Sequence, residues 1–213
     1  MKAFVIHFLG FNKVVDTQSF LLARALGKRS KSEGGHAIRV AEAKHPAYHM
    51  EPSGSRIKDY IETENHYNLT PIQFQENVTE NKRHFETTPG QNGFKRLMEN
   101  NDVVIVAVHE EASYAFAMAE GIPTGLLSKL NEKLVKSDLT IILDSQPVFK
   151  KTGNRDKDSK NERKAKTIQM NQKILAPTFG WEVVDANQSP DEVHNDVFKI
   201  VSQRLEDILV PLG

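Results

Sequence analysis

Eight residues near the N-terminus, Gly10-Phe11-Asn12-Lys13-Val14-Val15-Asp16-Thr17, are spaced like a loop that wraps a phosphate. Such a loop reads G-x-x-x-x-G-K-[ST]: successive backbone N–H groups cradle the phosphate oxygens and the lysine neutralises their charge. Gly10 and Thr17 stand at the first and last of these positions. Val15 stands at the second glycine, and its β-branched side chain resists the positive φ that such a turn uses. Asp16 stands at the lysine. A contact worth about 4 kcal/mol at ~4 Å and an effective dielectric of ~20 thereby changes sign. Lys13, three residues earlier, is the nearby cation that can substitute.

Other groups with chemical capacity lie further along. Glu110 and Glu111 follow the apolar run Val103–Val108 and can supply carboxylates to Mg²⁺, or stand as solvated residues at a strand end. Residues 149–166, FKKTGNRDKDSKNERKAK, are dense in Lys and Arg with almost nothing apolar. They read as a solvated loop entering an exposed helix, or as a basic lid that closes on a polyanion. Asp16, His109 and Glu110 together would serve an acid–base reaction at the strand ends. His45 and His49 are four apart, but Pro46 argues against the helix that would make them metal ligands, so no metal site is expected.

The elements that must position these groups are legible in the apolar pattern. Ala3–Leu9, Val103–Val108, Leu139–Leu143 and Trp181–Val184 are short, nearly unalternating runs, with a weaker one at Ala37–Val40. Such runs fit a parallel sheet covered on both faces. Helical patterns span Thr17–Leu26, roughly Pro71–Thr87, Gly93–Asn100, Pro123–Leu134, Arg163–Ala176 and Asp191–Leu209. Alternating strands and helices predict a three-layer α/β fold with about five parallel strands. A single domain over 1–213 is expected, with a lid at about 149–166.

Composition bounds the function. The 28 Lys+Arg balance 28 Asp+Glu, so no global basic field points to nucleic acid. With no cysteine there is no disulfide framework and no thiolate metal site, which fits a reducing cytoplasm. The apolar runs are strand-sized, so no membrane span is expected. The N-terminal MKAFVIHFLG reads as a first strand and not a signal peptide.

Several segments in order resemble thymidylate kinases. The stretch 138-DLTIILDSQP-147 is similar to their fourth strand, and 180-GWEVVDANQSPDEVHNDV-197 to their last strand, turn and final helix. The segment 51-EPSGS-55 is similar to their Glu-Pro-Gly-Gly-Thr loop, 69-LTPIQFQENVTENKRH-84 to their substrate-side helix, and 8-FLGFNKVVDTQSFLLARAL-26 to their phosphate-loop unit. The resemblance implies a P-loop kinase-like fold and a homodimer. It also implies nucleotide-binding positions at Gly10, Asp16, Thr17, Glu51 and Lys82.

Departures fall at chemical positions. Ala107, Val108 and His109 stand at the family's Asp-Arg-Tyr, Val78 at its base-stacking Phe and Lys82 at its Arg. Lys keeps the charge of Arg but loses the bidentate fork. Two readings follow. The first is an inactive thymidylate-kinase-like protein retained to bind a nucleotide, a nucleic acid or a protein. The second is an active nucleoside monophosphate kinase using ATP and Mg²⁺, with Lys13, Arg155, Arg163 and Lys164 neutralising phosphate from loop and lid and Glu110 or Glu111 holding the metal.

Overall fold

The computed structural model describes residues 3–32, 37–63, 65–88, 93–107, 110–146 and 155–209. Five parallel strands form one sheet: β1 (Phe4–Leu9), β2 (Val40–Lys44), β3 (Val103–Ala107), β4 (Leu139–Asp144) and β5 (Glu182–Asp185), in the order β2-β3-β1-β4-β5. β1 lies at the centre, with Ile6 opposite Ile105 of β3 and Phe8 opposite Ile141 of β4. Its full burial explains the unbroken apolar run that marked it in the sequence.

Alternate residues of β1 face opposite helix layers. Phe4, Ile6 and Phe8 pack with Leu22 and Leu26 of α1 (Asn12–Ser32) and Val193, Val197 and Val201 of α8 (Pro190–Leu209). On the other face, Val5 joins Met50, which precedes α2 (Ser53–Glu62), Phe85 of α3 (Pro71–Thr87) and Phe94 of α4 (Phe94–Asn100). α5 (Glu110–Ala119), α6 (Thr124–Leu130) and α7 (Arg155–Phe179) complete that layer through Ala115, Leu127 and Leu175. The three-layer α/β architecture matches the sequence expectation.

Several boundaries differ from that expectation, each for a physical reason. α1 begins at Asn12, five residues before the expected Thr17, because no glycine interrupts the stretch and Val15 is fully buried in the core. β2 lies at Val40–Lys44, later than Ala37–Val40; as an edge strand it is only half buried and lacks a strong apolar signature. α7 begins at Arg155, so the described part of the expected lid is the first three turns of a helix. α2 and α5 were not expected. α3 starts where its sequence says it should: Thr70 accepts from Gln73 N–H while the Gln73 side chain accepts from Thr70 N–H, with Pro71 in the first turn.

Candidate functional site

The strand order reverses beside β1, and at such a point the carboxyl ends of the strands leave a crevice for ligands. Two regions of this edge carry the chemistry. One follows β1, where the phosphate-loop spacing lies; the other lies between α3, α5 and the chain leaving β2.

On the first side, β1 passes through Gly10 and Phe11 directly into α1. Gly10 has φ +145°, and a Cβ there would meet the Leu143 carbonyl oxygen at 2.8 Å, so only glycine fits. The Val14 and Val15 N–H groups donate to the Phe11 carbonyl at 2.9 and 3.0 Å, as a helix's first turn requires. Asp16 accepts from Lys44 Nζ at 2.7 and 2.9 Å, tying α1 to the end of β2. Thr17 Oγ1 donates back to the Lys13 carbonyl at 2.8 Å. A cavity of about 130 Å³ lies beside Gly10, and its outer wall is Ala165, Ile168, Gln169 and Gln172 of α7.

The residues of the spacing therefore diverge. Gly10 faces α7 and Asp16 faces β2, while Lys13 and Thr17 line a separate cavity of about 160 Å³ against Gln188 and Pro190. Arg163 is exposed on α7. The side chains of Arg155 and Glu110 lie outside the described residues, as do residues 108–109 and 147–154.

On the second side, α3 sets Phe74, Val78 and Lys82 at i, i+4 and i+8, one face of a helix. All three line a cavity of about 140 Å³ that is almost wholly apolar, closed opposite by Ser113 and Phe116 of α5. Phe74 stacks on Tyr60 of α2 at 4.1 Å between ring centres and meets Phe116 at 4.9 Å. An aromatic wall is thus present although Val78 occupies the expected stacking position. Lys82, 1% exposed, donates from Nζ to Ser113 Oγ at 2.8 Å. Gln75, 2% exposed, also lines the cavity, and its Nε2 has no hydrogen-bond partner among the described residues.

His45 and Pro46 border this cavity and a wider cleft of about 610 Å³ that adds Lys44, Tyr48 and His49. His45 is buried, its backbone N–H donating to Ala107 O at 2.9 Å and its ring set edge-on to Phe85. Burial first, then the charge of Lys82 and the nearby His7, holds its pKa well below the usual 6.5. The ring is therefore neutral at pH 7. Glu51 stands outside both spaces, on the turn before α2, where it accepts from Ser55 Oγ at 2.6 Å.

A small apolar slot with a few buried polar groups, beside a wider and more polar cleft with which it shares His45 and Pro46, has the mix of surfaces that small-molecule sites use. Of the residues named from sequence, Lys82 lines this cavity; Phe74, Phe116 and Ser113, which also line it, and Tyr60, which stacks on Phe74, were not among them. Phe74 was within reach, since it precedes Val78 by one helical turn. Tyr60 sits on α2, whose start reads as a Pro-Ser-Gly turn, and Ser113 and Phe116 sit on α5, which carries no clear periodic signal. Among the described residues no group of three His, Cys, Asp or Glu is placed to hold a metal ion, and no helix is long and apolar enough to cross a membrane.

Strand order, central β1 and the crevice beside it define a P-loop kinase-like α/β protein. Thymidylate kinase of Ehrlichia chaffeensis superposes with a TM-score of 0.67 over 94% of this chain and 100% of its own, at 17% identity. The family model for thymidylate kinase matches residues 38–197, and the chain belongs to that family. A probable thymidylate kinase of Pyrobaculum aerophilum is 29% identical over 108 residues, which span 47% of this chain and 55% of that protein.

Proposed function

We propose that this member of the thymidylate kinase family binds a nucleotide in the cavity between α3 and α5 and does not transfer a phosphoryl group. The observation that carries the reading is the course of residues 12–16. They are wound into α1 where a phosphate loop would wrap its ligand, and Asp16 is engaged by Lys44. Phosphoryl transfer rests on positioning and charge stabilisation. With the Val14 and Val15 N–H groups donating to the Phe11 carbonyl and an aspartate at the lysine position, this turn offers neither the full nest of donors nor the cation. ATP–Mg²⁺ does not fit these residues.

The nucleotide reading is supported by the aromatic wall of Phe74 and Phe116, by the buried Lys82 ammonium, and by the family. The base occupies the slot and the phosphate lies in the wider cleft near Lys44 and His49. A homodimer in the cytoplasm completes the proposal, and sedimentation of the full chain tests its dimeric part.

The second reading is an active nucleoside monophosphate kinase. It is favoured by the placement of Arg155 and Arg163 on α7, the helix that walls the cavity beside Gly10. Lys13 would join them, with Glu110 on Mg²⁺. Calorimetric titration separates the two. Saturable binding of dTMP without binding of ATP–Mg²⁺ supports the binder, and saturable binding of both supports the kinase. Absence of dTMP binding overturns the nucleotide assignment itself.

A further inference from the structure

We propose that Lys164 is a positioning residue that fastens α7 against the aromatic wall of the α3–α5 cavity. Its Nζ lies 4.4 Å from the centre of the Phe116 ring and 5.5 Å from that of Tyr60. The same ammonium pairs with Glu120 at the end of α5. The rings beneath it form one unit, since Phe74 contacts both Tyr60 and Phe116, and Phe74 and Phe116 are also the surface a ligand in the cavity would touch. Lys164 therefore grips the outer side of the wall whose inner side is the slot.

The contact is more than a surface ion pair. The side chains of Lys164 and Glu120 are only 36% and 21% exposed. Partial desolvation strengthens attraction between a cation and ring faces, while exposed pairs are largely screened. The neighbouring charges on α7 point elsewhere: Arg163 is exposed, and Lys166 pairs with Glu162 along its own helix. One residue along a helix turns the side chain by about 100°, so of the described cations Arg163, Lys164 and Lys166 it is Lys164 that is aimed at α5 and α2. Further down, Asn171 Nδ2 donates to the Ala115 carbonyl at 3.0 Å, a second fastening of the same two helices. Lys164 holds the upstream part of α7, nearer the basic segment.

What the wall holds rests on the nucleotide reading above; the fastening belongs to the chain alone. The test uses the full chain as wild type, Lys164→Met and Lys164→Arg. Amide exchange is followed over residues 159–168, with α8 residues 193–205 as reference. Met keeps the length and loses the cation, so exchange in 159–168 is expected to quicken about five- to tenfold while α8 is unchanged. Arg keeps the cation and restores slow exchange. Unchanged exchange in the Met variant, failure of Arg to restore it, or equal quickening of α8 would overturn the fastening.

A dTMP titration of the same three proteins reads the positioning. Affinity several-fold weaker in Met and recovered in Arg is expected. Equal affinity in all three overturns the positioning role. If wild type does not bind dTMP, the nucleotide reading has failed, and the exchange measurement still decides whether Lys164 fastens α7.

Discussion

Two regions at the carboxyl edge of one sheet have been treated differently. Between α3 and α5 the chain keeps a concave apolar slot, with an aromatic wall and a buried ammonium. Beside β1, α1 starts two residues after Gly10, Val15 is core, and Asp16 is tied to Lys44. The two regions lie on separate elements, so on the proposed reading one serves structure while the other binds the ligand. Substitutions on the β1 side should therefore move stability, and those on the α3–α5 side should move ligand binding.

The strongest break of that comparison restores the family's glycine. Val15→Gly removes a fully buried side chain from the core and adds glycine to a helix interior. A loss of about 3–4 kcal/mol is expected in denaturant unfolding, with no gain of ATP binding. Tolerance of the change with tight ATP binding would mean that the loop is still latent in the sequence.

On the other side, Lys82→Met should weaken dTMP binding at least about tenfold, as loss of a charge-assisted contact does. Unfolding measured in parallel separates a lost contact from a lost fold. Unchanged affinity would move the ligand elsewhere.

His45 ties the slot to pH. Its folded pKa is depressed below 6.5, so the unfolded chain takes up the proton first as pH falls. Stability is then fully present above the unfolded value and is lost as pH drops below about 6.5, by up to ~1.4 kcal/mol per pH unit until the folded pKa is reached. Comparing unfolding at pH 7.5 and 5.5 in wild type and His45→Gln checks this. The variant should show the shallower dependence.

The smallest effect belongs to Asp16→Lys, which restores the loop lysine. The lost pair with Lys44 is half exposed, so only about 0.5–1 kcal/mol of stability should go. Kinase activity should not appear, because the backbone of 12–16 remains helical.

The same contrast explains how much could be read from sequence. β1, β3 and β4 were visible because fully or largely covered strands are continuous apolar runs; β5, an edge strand with Val183 and Asp185 exposed, showed only as the shorter run Trp181–Val184. α3 was visible through its spacing and the Thr70–Gln73 cap. The start of α1 was misjudged because the phosphate-loop spacing imposed a loop on residues that fold as helix. α2 follows Pro52 and contains Gly54, which read as a turn, and EEASYAFAMA of α5 is apolar nearly all round and shows no face. The aromatic wall was hidden for the same reason: Tyr60 and Phe116 come from those two helices and meet Phe74 only in three dimensions. Lys82 was singled out by its place in the α3 motif, but its burial and its bond to Ser113 depend on where α5 packs.

The most direct test of the comparison is product formation by mass spectrometry, with ATP–Mg²⁺ and nucleoside monophosphates led by dTMP, at protein concentrations that register slow turnover. We expect no diphosphate from any acceptor. Formation of dTDP that is lost in Lys13→Ala or Arg155→Ala would contradict the account and make the β1 side a working phosphate site.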